Sequence, residues 1–200
     1  MLTKLKQKIQ KLLATQARIA QRIGLTPNII TIIGIALAIF SAVAYTQWQK
    51  NSTYLILATA LLLLSGYCDA LDGAVARLTQ QTTPFGGFLD SLLDRYADAV
   101  VYAAVIISRL CEPAWGLAAL IGSLLVSYTR AKAESIQIKM ETIGIAERPE
   151  RIIILAIATI IAYFWQPEAT INIAIIALAA LTNLTVLQRS VHVYRKLKEK

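Results

Sequence analysis

The sequence predicts an all-α, polytopic membrane protein: about six transmembrane helices, with an amphipathic helix ahead of them at the membrane surface. Three observations carry the prediction. Hydrophobic residues make up 56% of the chain and its mean hydropathy is +0.57, too apolar for an ordinary soluble domain. Apolar stretches suited to crossing a bilayer alternate with short polar turns. Lys and Arg gather in the turns and tails. The 200 residues suit one membrane domain over 26–200, with a juxtamembrane helix over 1–25.

In residues 1–25, Leu2, Leu5, Ile9, Leu12 and Leu13 recur at helical spacing with Lys4, Lys8 and Lys11 between them. This is the pattern of a basic helix lying in the interface. No apolar core followed by a small-residue cleavage site occurs here, so no cleavable signal is expected. Thr26-Pro27 reads as a helix start, Thr26 as N-cap and Pro27 in the first turn. The first span then covers 28–47, and WQKNST is a polar turn. Spans two and three cover 54–78 and 86–109, joined through LTQQTTPFGG, whose Pro and Gly mark a turn. Helices joined by a short turn are usually antiparallel neighbours, so these two are expected to pack side by side. RLCEPAW leads to span four at 114–131, expected to continue as a helix beyond the membrane. A basic connection over 128–151 precedes span five at 151–165. The turn WQPEAT precedes span six at 170–188, and a basic tail follows.

Formal net charge is +8, but no nucleic-acid recognition motif or basic-aromatic stripe appears, so nucleic acid is not the expected partner. Of the 20 basic residues, 17 fall in the N-terminal segment, at Arg77, in the 128–151 connection and in the tail from Arg189. Positive residues mark the cytoplasmic side, which puts both termini and the 80–85 turn there. Cys68 and Cys111 form neither a disulfide framework nor a zinc motif, and His192 stands alone in the tail.

The chain has five aspartates, Asp69, Asp72, Asp90, Asp94 and Asp98, all within thirty residues flanked by apolar sequence. One charge at the centre of a membrane helix costs roughly 2.5–3.5 kcal/mol, so four deep, unpaired carboxylates would cost on the order of 10 kcal/mol. A cation or an interfacial position removes that penalty. Asp69 and Asp72 share one helix face, and Asp90 and Asp94 share a face of the next helix. Converging hard oxygens suit Mg²⁺, Mn²⁺ or Ca²⁺ rather than zinc. Two close metals are a common arrangement for displacement at phosphorus.

The spacing D-x2-D-G-x2-A-R-x8-G-x3-D-x3-D is met at Asp69, Asp72, Gly73, Ala76, Arg77, Gly86, Asp90 and Asp94. It resembles the motif of the CDP-alcohol phosphotransferase family. The resemblance implies a membrane enzyme of the prokaryotic cell type that transfers a phosphatidyl-type group from a CDP-lipid to an alcohol, releasing CMP. It implies a site for two ions, Mg²⁺ or alternatively Mn²⁺, on Asp69, Asp72, Asp90 and Asp94, with Asp94 as the base, and it implies a homodimer. Small residues along spans three and four (Ala97, Ala99, Ala103, Ala104, Gly116 and Gly122) would permit close helix contact. The family often carries T-P-N/D-x-x-T before its first span; Pro27, Asn28 and Thr31 fit it and imply contacts with the nucleotide end of the donor. Asp69, Gly73, Ala76 and Gly86 would line the donor site. Arg77 would either contact nucleotide or phosphate or form a salt bridge within the motif. Asp98 lies outside the motif and reads as a residue that supports the metal ligands from behind or makes a helix–helix hydrogen bond, and not as a ligand itself.

SYTRAKAE and GIAERPER resemble stretches of family members that use inositol phosphate as the alcohol. Arg130, Lys132, Arg148, Arg151 and Arg189 are then the candidate clamp for the acceptor's phosphate. Arg148 and Arg151 would share a face if Pro149 does not break the helix between them. Glycerol 3-phosphate or a free alcohol is the alternative acceptor. A divalent-cation transporter would also need intramembrane carboxylates, but not the G-x2-A-R element. Intramembrane prenyltransferases carry two separated aspartate motifs, against one cluster here.

Overall fold

The computed structural model describes residues 13–140 and 143–198. Its described residues are helical with short connections, and no strand occurs among them. Residues 13–22 form a leading helix. Six long helices follow: α1 (Pro27–Thr46), α2 (Thr53–Thr79), α3 (Pro84–Ile107), α4 (Pro113–Ser135), α5 (Arg148–Phe164) and α6 (Pro167–Lys198). They correspond one to one with the six predicted spans.

Local chemistry starts these helices. Thr26 caps α1, its hydroxyl accepting from the Ile29 amide at 3.4 Å, with Pro27 in the first turn. Thr83 caps α3 in the same way, accepting from the Gly86 amide at 2.9 Å ahead of Pro84. Pro149 stands in the first turn of α5, where its missing N–H has no helical partner to lose. It therefore begins the helix and leaves Arg148 and Arg151 on one face.

Helices α1, α2 and α6 are long and apolar enough to cross a membrane. The other three depart from that pattern for visible reasons. Helix α3 carries Asp90, Asp94, Arg95 and Asp98 in its first half. Helix α4 ends in Arg130, Lys132 and Glu134, matching the predicted continuation past the membrane. Helix α5 has 17 residues, about 26 Å at 1.5 Å per residue, a little short of a bilayer core.

One expectation changes and two others gain detail. Helices α2 and α3 are not close-packed neighbours; α1 packs against both, and α5 packs against α2. The two carboxylate helices therefore splay from their turn and leave a gap that polar side chains fill. The last helix does not stop at 188 but runs through the basic tail, because neither Gly nor Pro interrupts it. That carries Arg189 into the protein interior. The N-terminal helix also packs on the protein through its small residues. Ala17 and Ala20 are buried against Ile30, Cys68, Leu71 and Val75, and the Tyr67 hydroxyl donates to Gln16 Oε1 at 2.7 Å. Two alanines three apart give a flat face that docks on α1 and α2. The Leu2 to Leu12 part of the predicted amphipathic pattern lies outside the described residues.

Close helix approach is made inside the chain. A Cβ on Gly34 would lie 3.2 Å from Cys68 Cβ, and one on Gly122 would lie 2.2 Å from Thr182 Oγ1. Of the small residues that suggested a dimer surface, Ala97, Ala104, Gly116 and Gly122 are buried within this single chain. Both cysteines are buried and free.

Candidate active site

Four helices build the polar centre. Helix α2 brings Asp69 and Asp72, α3 brings Asp90, Asp94 and Asp98, α5 brings Arg148 and Arg151, and α1 brings Thr31. One carboxylate oxygen each from Asp69, Asp72 and Asp90 lie within 4.8 Å of one another. Asp72, only 5% exposed, accepts from the Thr31 hydroxyl at 2.7 Å. One turn of α1 back, Pro27's carbonyl also accepts from that hydroxyl, which fixes its direction.

Asp90 Oδ1 is buried and has no hydrogen-bond partner. An orphaned buried carboxylate oxygen beside two other carboxylates is costly unless a cation or water completes it. The donor set is all oxygen, so a hard divalent cation fits Asp69, Asp72 and Asp90.

Asp94 stands apart from that trio. Arg148 Nη1 lies 2.6 Å from Asp94 Oδ1 and 2.9 Å from Asp69 Oδ2, while its Nε lies 3.4 Å from Asp98 Oδ1. Arg151 Nη2 donates to Asp98 Oδ2 at 2.5 Å and its Nη1 to the Ala146 carbonyl at 3.1 Å. Asp98 thus joins α3 to α5, the helix–helix role its position suggested.

A cavity of about 180 Å³ adjoins the carboxylates. It is lined by Asn28, Thr31, Asp72, Gly73, Ala76, Arg77, Gly86 and Asp90 among others, so six of the seven residues assigned to the donor meet at one place with Asp72 and Asp90. Asp69 is the exception: it lines a neighbouring pocket of the carboxylates. The glycines keep this space open. A Cβ on Gly86 would sit 3.0 Å from Thr83 Oγ1 and 3.4 Å from Asn28 Oδ1, and one on Gly73 would sit 3.2 Å from Arg77 Nη1. Arg77 folds back over Gly73 along its own helix, and among the described residues it makes no salt bridge.

The five basic candidates do not form one cluster. Arg148 and Arg151 sit on the carboxylates. Arg189, 1% exposed, donates to the Ile143 carbonyl at 2.8 Å, the Val126 carbonyl at 2.5 Å and Glu147 Oε1 at 2.9 Å. Arg130 pairs with Glu134 at 3.0 Å one turn along the same helix, and Lys132 is exposed. Sequence reasoning passed over Glu147; an acidic residue immediately before two charged helix-start positions was the available signal.

Apolar helices long enough to span a membrane, with a carboxylate cluster that could hold a hard cation beside a polar cavity, define the class as an integral membrane protein with a candidate metal site. The chain belongs to the CDP-alcohol phosphatidyltransferase family, whose sequence profile matches residues 24–187. It is 42% identical over 180 residues to the archaetidylinositol phosphate synthase of Methanothermobacter thermautotrophicus, covering 90% of this chain and 89% of that protein. Among solved structures it resembles the phosphatidylinositol phosphate synthase of Mycobacterium tuberculosis. The form with CDP-DAG bound matches with a TM-score of 0.76 at 27% identity, over 92% of this chain and 94% of that one. The form in complex with manganese and citrate matches with a TM-score of 0.78 at 28% identity, over 91% and 88%.

Proposed function

We infer that this protein transfers the phosphatidyl-type group of a CDP-lipid to inositol phosphate, giving a phosphatidylinositol phosphate and CMP. The observation that carries the reading is the cavity in which the donor-side motif residues meet Asp72 and Asp90, in a chain whose similar proteins are named as inositol phosphate lipid synthases.

Asn28, Gly73, Ala76, Arg77 and Gly86 shape the space for the cytidine end of the donor. Thr31 holds Asp72 in place. Asp69, Asp72 and Asp90 hold the divalent cation, with Asp94 completing a second position; Mg²⁺ is the proposed physiological ion. Two bound ions would neutralise the donor pyrophosphate and stabilise the attacking and leaving oxygens. The acceptor hydroxyl oxygen bonds to the lipid-side phosphorus as that phosphorus releases CMP. Asp94 would then take the proton of the attacking hydroxyl.

The acceptor's phosphate is recognised from the basic side of the site. Arg148 and Arg151 lie nearest the carboxylates, with Arg130 and Lys132 reaching from the end of α4. Arg189 supports that wall by holding the segment before α5. The excess of basic residues around this end favours a cytoplasmic site, cytoplasmic termini and six spans. The homodimer rests on the family resemblance alone.

The test is CMP release by the protein in lipid vesicles, using CDP-linked diacyl and diether lipids against a panel of alcohols. Inositol phosphate should support turnover and free inositol should not. Turnover with glycerol 3-phosphate alone would replace the acceptor and leave the carboxylate chemistry standing. Divalent-ion flux without CMP release would favour a transporter.

A further inference from the structure

We propose that Arg148 is a built-in counter-cation that occupies the second metal position and must be displaced before a second divalent ion can bind. This rests on the carboxylates being the metal site. The proposal comes from how the carboxylates are shared out. Of the three that cluster, Asp90 keeps a buried oxygen without a partner and Asp72 is held by a hydroxyl, so a first ion meets carboxylates of which Arg148 touches only Asp69. The fourth, Asp94, is already neutralised by the Arg148 guanidinium, which bridges it to Asp69 through a single nitrogen. An ion bridging Asp69 and Asp94 would need the place of that nitrogen.

Charge explains the arrangement. Five carboxylates face the Arg148 and Arg151 guanidiniums, with Arg95 also in electrostatic reach of Asp90, so the centre is formally negative before any ion arrives. Without Arg148 it would carry one more negative charge in a low-dielectric setting, where like charges repel strongly. Arg148 can leave without exposing Asp98, because Arg151 holds the other oxygen of Asp98 at 2.5 Å. The contact from Arg148 Nε to Asp98 is its longest, at 3.4 Å. Behind Arg148, toward Tyr102 and Leu155, lies a cavity of only about 20 Å³. That holds a water and no guanidinium. The pocket it lines among the carboxylates is also small, about 10 Å³, but it adjoins the 180 Å³ cavity at Thr31, Asp72 and Asp90, and a phosphate arriving from there can pair with the released guanidinium.

The two ions then bind in order and unequally. The first is set by Asp69, Asp72 and Asp90. The second is weakened by the work of moving Arg148 and strengthened when a phosphate receives the released guanidinium.

The test is Mn²⁺ binding to the full-length protein in detergent, read by the electron paramagnetic resonance signal of free Mn²⁺ without donor or acceptor. Wild type should show one tight and one weak ion. Arg148→Gln should tighten the weak ion by roughly tenfold or more and leave the tight one within a factor of about two. Arg148→Lys keeps the charge but not the two-carboxylate bridge, so it should give a smaller tightening; it decides the matter if the Gln variant does not fold. Weak-site affinity unchanged in the folded variant would overturn the proposal, as would loss of both ions together. If wild type binds no Mn²⁺, the carboxylate metal site itself fails. Two ions indifferent to Arg148 would overturn only its role as the displaced cation.

Discussion

Arg148 and Arg189 anchor two regions with the same kind of side chain and opposite kinds of partner. Arg148, between α2, α3 and α5, is ion-paired with carboxylates, Asp69, Asp94 and Asp98, and with no other partner among the described residues. A divalent ion can take two of those partners, Asp69 and Asp94. Arg189, between α4, α6 and the segment before α5, gives two of its three bonds to the backbone carbonyls of Val126 and Ile143. No ion or substrate replaces those without breaking the fold. Exchangeable partners make one region a working site; permanent partners make the other a pin. Sequence alone made both residues candidates for the same clamp.

Removing the pin should cost most. Arg189→Ala leaves two carbonyls without their donor and Glu147, itself 40% exposed, without its ion-pair partner; each buried carbonyl left unsatisfied costs roughly 1–3 kcal/mol. Thermal unfolding in detergent should show it as a large drop, with Arg189→Lys recovering part. A variant that unfolds like the parent yet binds acceptor poorly would move Arg189 from the pin to the substrate.

In the other region the effect should fall on chemistry instead. Asp72→Asn keeps shape and can still accept from Thr31, but it removes one charge from the cation site. CMP release should drop by roughly 10²–10³-fold, in the range seen for lost electrostatic stabilisation, with unfolding little changed. Undiminished turnover would detach the carboxylates from the reaction.

Thr31→Val sharpens the contrast further. It removes the 2.7 Å bond to Asp72, a hydrogen bond to a charged group worth about 1.5–3 kcal/mol. The half-saturating divalent-ion concentration should rise by about tenfold or more, while the acceptor KM barely moves. Equal changes in both constants would point to a general loosening of α1.

The smallest effect belongs to packing on the pin's side. Gly122→Ala would drive a Cβ to 2.2 Å from Thr182 Oγ1. Overpacking costs about 1–3 kcal/mol, so stability should fall moderately and the ion dependence of turnover should stay as in the parent.

Much of this was legible without coordinates. The Thr26-Pro27 start of α1, the turn before Pro84, the six helical segments and the motif aspartates all depend on neighbours within about four residues, and such signals are written along the chain. Asp98 was readable as a helix–helix contact from its place in the i+4 row. The sharing of partners was not. Five aspartates and five basic candidates offer many pairings, and choosing among them needs distances between helices. The splay of α2 from α3 leaves room for Arg148 to reach Asp69 and Asp94 together. The uninterrupted α6 turns Arg189 inward to carbonyls more than forty residues away in sequence. Residue types and their spacing thus determined which chemistry is available, through local periodicity and charge. Tertiary packing decided which arginine guards the cation site and which holds the wall, because burial and interhelical distance determine which partners a guanidinium can reach.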